Sequence, residues 1–191
     1  RRDSSVNYFD KQRFSEDNHI ICKHIVNDEY EAATNRLLDD DYHGPRINDH
    51  LEQHENDYIT ALRQIPDNIL QLFVHAYQSQ LWNRGVQRNT DELTANDDFP
   101  IIGFGTRPRN ELEKTEIRTV MNEEDITPRS FIIRSIPDLS AEGTRRDVYK
   151  QIHDLSLHET DKGVQATFFL EKGSYATMAI KHLVDDVNPT T

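Results

Sequence analysis

A single cysteine among 191 residues excludes an internal disulfide framework and leaves no Cys-based metal motif. Cys22 lies in the apolar run Ile20-Ile21-Cys22, which reads as a buried, inert thiol and not a nucleophile. Long hydrophobic runs are missing too. None could cross a bilayer or resemble a secretion signal, so the sequence is expected to be soluble and cytoplasmic, with no membrane partner. Internal repeats and low-complexity tracts are likewise absent.

Positive charge is in short supply. Lys and Arg total 22 against 34 Asp and Glu, a formal net charge of −12, whereas a protein that grips polyphosphate normally presents a net basic surface. Composition alone argues against nucleic acid unless the acidic residues coat a remote face or a partner segment supplies a basic groove. Local basic clusters survive at Arg107-Pro108-Arg109, from Arg129 to Arg134 and at Arg145-Arg146. Each reads either as solvated arginine near a turn or as a phosphate contact.

A chain of this length supports one core, or a core plus a fragment of a second domain. Val6 to Phe9 is strand-like, and Gln12-Arg13-Phe14 continues it into a polar loop at Ser15 to Asn18. His19 to Leu38 reads as helix, turn, helix, with a capping box at Asp28 and Glu31. The acidic run Asp39 to Asp41 reads as a solvated linker. Ile47 to Ile65 is a second helical stretch. Its His50 and His54, four apart, share a helix face and could hold a metal, but Leu51 stands where the zincin pattern requires Glu, so no metal is expected.

Pro66-Asp67 opens the best helix, to about Arg88, with Leu70, Phe73, Val74, Tyr77 and Leu81 as its buried stripe and Gln71, His75, Gln78 and Trp82 along another line. Phe99 to Gly105 reads as a strand, and Asn110 with Glu113 as a capping box opening a helix that Thr127-Pro128 stops. Ser130 to Ile136 is expected to be a short strand, Pro137 to Asp147 a turn-rich loop, and Tyr149 to Leu157 a further strand. Val164, Ala166, Phe168 and Leu170 then alternate as a half-buried strand would, before Lys172-Gly173-Ser174 breaks the period. Ser174 is a good N-cap for a helix carrying Ala176, Ile180, Leu183 and Val184. Tyr175 sits at the mouth of this strand-to-helix turn, where its ring can face a ligand.

Three stretches in this order, NYFDKQRF at Asn7 to Phe14, LFVHAYQSQLWN at Leu72 to Asn83 and KGSYATM from Lys172 to Met178, resemble the tRNA pseudouridine synthase D (TruD) family. The likeness runs from Asn7 to about Leu183. It implies an α+β fold in which the two chain ends form part of a mixed pseudouridine-synthase sheet, with a mainly helical insertion domain between them. The implied boundaries are 1–18 and 151–191 for the catalytic-domain segments and 19–150 for the insertion.

The implied activity is isomerisation of uridine to pseudouridine in RNA, the family target being uridine 13 of tRNA, with neither metal nor soluble cofactor. By the same resemblance Asn7, Phe9 and Tyr175 bind the substrate, with Arg13 and Lys172 in support. An amide can read a uracil edge with one donor and one acceptor, and an aromatic face can stack on a flipped base. Without the other motifs, Asn7 reads as a turn-bonding residue and Phe9 as core.

The family's nucleophilic Asp lies in a Gly-x-Lys-Asp-type motif ahead of the NYF segment, and nothing in this chain matches it. No catalytic residue is therefore assigned, since Asp10 and Asp17 lack the required context. The expectation is a C-terminal portion of such an enzyme, inactive alone, whose partner is a missing N-terminal half carrying the Asp; the polar opening from Arg1 to Ser5, without a start methionine, fits it. Further departures are Ser15 where Gly usually follows Gln-Arg-Phe, Asp10 at a position often taken by Gly, and Glu171 for the usual Pro, which adds negative charge beside the pocket. The alternative is a non-catalytic RNA-binding or protein-interaction module derived from a synthase.

Overall fold

Apolar residues at helical spacing fill the middle of the sequence and alternating ones its end, and the structure follows that division. The computed structural model describes residues 4–14, 17–161 and 163–187. In chain order its elements are β1 (Ser4–Val6), α1 (Asn18–Val26), α2 (Tyr30–Asn35), α3 (Gly44–Gln53), α4 (Tyr58–Leu62) and α5 (Asp67–Arg88). There follow β2 (Asp98–Ile101), α6 (Glu111–Glu124), β3 (Thr144–Asp147), β4 (Tyr149–Thr160), β5 (Gly163–Leu170) and α7 (Ala176–Val187). The chain separates into a helical unit, Lys11–Gly85 and Pro100–Arg145, and a sheet unit within Arg1–Asp10, Val86–Phe99 and Arg146–Thr191.

The helical unit is organised around α5. Leu70, Phe73, Val74, Tyr77 and Leu81 are buried as their spacing predicts, and so are Gln78 and Trp82 from the other line. Gln78 is satisfied inside because its Nε2 donates to the Ile102 carbonyl at 2.9 Å. Tyr77 stacks on Phe131, ring centroids 6.1 Å apart, and side chains this deeply buried each stabilise the fold by about 1.5–3 kcal/mol. Cys22 is fully buried, and burial pushes its thiol up, out of reach of ionisation. Glu124 accepts from the Tyr77 hydroxyl at 3.2 Å, Lys23 Nζ at 2.9 Å and Arg84.

Several local expectations are corrected. The Ile47 to Ile65 stretch breaks into α3 and α4, because Asn56 takes a left-handed φ of 65° and Asp57 caps α4 through the Thr60 N–H. Asp28 does not cap α2. It sits at φ 59° and accepts from the Tyr30 hydroxyl, leaving Glu29 at the N-cap. Ser130 to Ile136 is not a strand: Thr127 and Ser130 form a capping box on a 3-10 turn, Pro128–Phe131. The strand expected from Phe99 to Gly105 ends at Ile101, beyond which Gly103 and Thr106 close a turn. His50 and His54 do lie close, with ring centroids 4.8 Å apart, but His50 is engaged with Asp57, and no group of three potential ligands for a metal occurs among the described residues.

In the sheet unit β4 is central, paired antiparallel with β1 on one side and β5 on the other. The β4–β5 register shifts between His153 and Ser156, where Asp154 adopts φ 54°. This bulge turns both Ile152 and Leu155 toward the small core of Ile152, Ala179 and Leu183. Phe168 and Leu170 join that core as expected, whereas Val164, on the same face, is 64% exposed. The buried line of α7 is Ala179 and Leu183, and Ile180 and Val184 face outward. Strands β2 and β3 form a separate two-stranded ribbon. Among the described residues no helix is long and apolar enough to cross a membrane.

Candidate functional site

The strand expected to continue through Phe9 stops at Val6, and the chain leaves the sheet where the Asn7 N–H donates to the Val148 carbonyl at 2.8 Å. The downstream Gln-Arg-Phe segment is no strand either, since Lys11–Arg13 is a 3-10 turn. This early exit places Asn7 beside the end of β3. Asn7 is 4% exposed, and both ends of its amide are engaged: Nδ2 donates to the Asp147 carbonyl at 3.0 Å, and Oδ1 accepts from Arg146 at 2.6 Å.

Arg146 organises the site. Its Nε donates to the Asn7 carbonyl at 3.0 Å, and the nitrogen that reaches the Asn7 side chain also donates to the Gly173 carbonyl at 3.1 Å. The guanidinium carbon lies 4.0 Å from the centroid of the Phe9 ring, a cation–π geometry contributing about 0.5–2 kcal/mol. Phe9 in turn meets Tyr175 edge to face, centroids 6.4 Å apart at 64°. One planar fork thus ties the NYF segment to the β5–α7 corner. Gly173 holds φ 91° with open space where a Cβ would stand, so backbone conformation and not crowding requires glycine there.

The corner itself differs from expectation in one respect. Ser174 does not cap α7; the Tyr175 carbonyl receives the N–H groups of Met178 and Ala179, which puts Tyr175 at the N-cap position. The Ser174 hydroxyl is buried without a hydrogen-bond partner among the described residues. A second tie lies deeper. The Asp10 carboxylate, 4% exposed, accepts from Thr177 Oγ1 and, at 3.0 Å, from Lys181 Nζ. Asp10 therefore fastens the NYF segment to the first turns of α7.

Of the residues singled out in the sequence, Asn7, Phe9 and Tyr175 come together, with the last two half-buried and able to offer ring surface. Lys172 is exposed in the turn ahead of Gly173. Arg13 is half-buried and belongs to the helical unit. The negative charge of Glu171 is offset by Lys150, whose Nζ lies 3.2 Å from it and 2.7 Å from Asp147. Hydrogen bonding to Asp147 first, and to Glu171, holds the lysine above its ordinary pKa. Ser15 lies outside the described residues.

The roles of Arg146 and Asp10 were missed: Arg146, read as solvated arginine or a phosphate contact, is instead engaged with Asn7, Gly173 and Phe9. The available signal was the alternation of TRRD, which sends neighbouring arginines to opposite sides of β3: Arg145 pairs with Glu113 at 2.5 Å, and Arg146 with Asn7. Chemically, the cluster offers an aromatic edge and face beside a fixed cation, suited to a flat heterocycle.

The family model described as tRNA pseudouridine synthase D (TruD) matches residues 45–99 and 85–183. The chain belongs to the TruD family. Among TruD relatives, a probable tRNA pseudouridine synthase D of Methanopyrus kandleri is 30% identical over 93% of this chain and 57% of its own length. The tRNA pseudouridine synthase D of Aquifex aeolicus is 25% identical over 93% of this chain and 60% of its own length. A crystal structure of a Methanosarcina mazei TruD protein superposes with a TM-score of 0.79 at 20% identity, over 94% of this chain and 61% of that one, so the α+β fold is that of a TruD protein. The chain spans about three-fifths of the length of these relatives.

Proposed function

We propose that this chain forms the uracil-binding side of a tRNA pseudouridine synthase, acting on tRNA or another structured RNA, with uridine 13 of tRNA as the target. The observation that carries it is the convergence of Asn7, Phe9 and the Gly173 carbonyl, from opposite ends of the sequence, on the single guanidinium of Arg146, with Tyr175 meeting the Phe9 ring edge to face. Residues 1–18 and 151–191 are read as catalytic-domain segments around an insertion at 19–150; unit borders at 10/11 and 145/146 lie near those bounds, while 86–99 groups with the two ends.

In the reaction the bond from the sugar C1′ to uracil N1 breaks, the ring turns, and C1′ bonds to C5. The C5 proton leaves and N1 gains one. Phe9 and Tyr175 hold the base by its edges and face. Asn7, 4% exposed and clamped from both sides, fixes the backbone that presents Phe9 to the uracil. Lys172 and Arg13 support the RNA backbone. The nucleophilic carboxylate comes from residues outside this chain, because Asp10 is committed to Thr177 and Lys181.

Release of tritium from RNA labelled at uridine C5 tests this. The chain alone should release none. A protein that joins it to a Gly-x-Lys-Asp-type segment encoded ahead of Arg1 should release it, and Phe9→Ala or Tyr175→Ala should abolish the release. Turnover that is indifferent to both substitutions would refute the assignment. If no such segment is encoded, the acidic net charge of −12 favours the second reading, a non-catalytic RNA-binding or protein-interaction module.

A further inference from the structure

The helical unit carries a second feature that the proposed uracil site does not use. Two backbone turns cross at van der Waals limits: the Phe104 N–H donates to the Ala141 carbonyl at 2.9 Å, and the Gly143 N–H returns to the Phe104 carbonyl at 2.9 Å. A Cβ on Gly103 would lie 2.6 Å from the Ala141 carbonyl oxygen, and one on Gly143 would lie 2.0 Å from Thr106 Oγ1. The crossing is therefore rigid and specific to glycine. Thr106 Oγ1 locks it further by accepting from the Gly103 N–H and donating to the Gly103 carbonyl.

Over this platform opens a pocket of about 310 Å³ whose lining includes Gly105, Thr106, Arg107, Arg109, Gly143 and Arg145. Among the described residues none of its lining side chains is acidic. Arg145 is oriented from behind by the buried carboxylate of Glu113, which receives two of its nitrogens at 2.5 and 3.3 Å and the Arg109 N–H at 2.7 Å. Asn110 caps α6 by accepting from the Glu113 N–H at 2.8 Å, fixing that carboxylate in turn. Arg107 and Arg109 are exposed at the rim.

Two exposed guanidinium groups, Arg107 and Arg109, beside Arg145, whose charge Glu113 balances, concentrate positive potential locally in a chain whose net charge is −12. Planar forks of this kind match phosphate oxygens two at a time. We infer that this pocket is a phosphodiester-binding subsite, through which the helical unit holds the backbone of the RNA whose uridine the sheet unit receives. The inference rests on the RNA reading above but concerns different residues.

Binding of a labelled tRNA transcript to this chain, followed across roughly 50 to 200 mM salt, tests it. The double substitution Arg107→Ala, Arg109→Ala should weaken binding about tenfold and flatten the dependence on salt by about one phosphate contact for each arginine that engages RNA. The double substitution to Lys should keep the slope, because charge is retained. Arg129→Ala, an exposed arginine outside this pocket, should change little.

Equal losses from Arg129→Ala, or a Lys pair as weak and flat as the Ala pair, would overturn the assignment. So would stabilisation of the chain by inorganic phosphate with RNA binding indifferent to Arg107 and Arg109, which would give the pocket to a free anion. If the unsubstituted chain fails to bind tRNA, the RNA reading falls; if it binds and the Ala pair binds identically, only the pocket assignment does.

Discussion

Each of the two units is held together internally by different means. In the helical unit Ile47, Leu62, Leu70, Tyr77 and Phe131 are all fully buried in one continuous cluster. In the sheet unit one small buried cluster is Ile152, Ala179 and Leu183, with Leu155, Phe168 and Leu170 at its margin; Val86, Phe99 and Val148 are buried as well, while Leu157, Val164, Phe169, Ile180 and Val184 stay exposed. To its apolar burial the sheet unit adds directional contacts: the Arg146 fork, the Asp10 tie and the Lys150 bridge. Apolar burial tolerates small shifts, whereas these contacts depend on angle and distance. The candidate site thus sits where geometry is tightly specified.

The comparison can be broken most forcefully in the helical unit. Phe131→Ala empties a fully buried site against Tyr77 and should cost about 3–5 kcal/mol, read as a lower denaturant midpoint from the emission of the single tryptophan, Trp82. Leu183→Ala should cost about 2–3 kcal/mol, seen as faster hydrogen exchange in α7 and β4 with α5 largely unchanged; equal loss in α5 would show that the units do not differ as described.

Glu124 supplies a pH test. Burial alone would raise its carboxyl, but hydrogen bonds from Lys23 and Arg84, with their charges, outweigh that and hold it below the ordinary value of 4.5. A depressed carboxyl contributes stability above that value and loses it as pH falls. Acid titration of Trp82 emission should therefore show declining stability below about pH 4.5. Glu124→Gln should cost about 2 kcal/mol at neutral pH and flatten that decline.

A smaller effect is expected at the site. Arg146→Lys keeps the charge but cannot bond Asn7 twice, reach Gly173 and cover Phe9 from one plane. About 1–2 kcal/mol of local stability should go, with exchange quickening around Gly173 and α5 unaffected. The least effect belongs to Val184→Ser on the outer face of α7, within about 0.5 kcal/mol in thermal melts. A large loss there would mean that this face is covered.

Regular elements were legible because their signals are local. The α5 stripe, the α6 cap at Asn110, the β4 and β5 strands and the turn at Gly173 all followed from spacing and turn chemistry. The failures share a cause: side chains took over bonds that backbone periodicity assigns elsewhere. Asn7 ended β1 early, Asp57 split a helical stretch, and Thr127 with Ser130 wound an expected strand into a 3-10 turn. The site was legible as three motifs but not as a constellation. Arg146 carries no motif of its own, and its partners are distant in sequence, so only the folded chain reveals it.

The clasp made by Arg146 also sets a timetable. Its carbonyl partner at Gly173 and the ring at Tyr175 leave the ribosome long after Asn7 and Phe9 have done so. The early aromatic must wait, with nothing to lean on, until that corner has been made, and a message cut short before it would yield a well-packed helical body and half of an unclosed clasp.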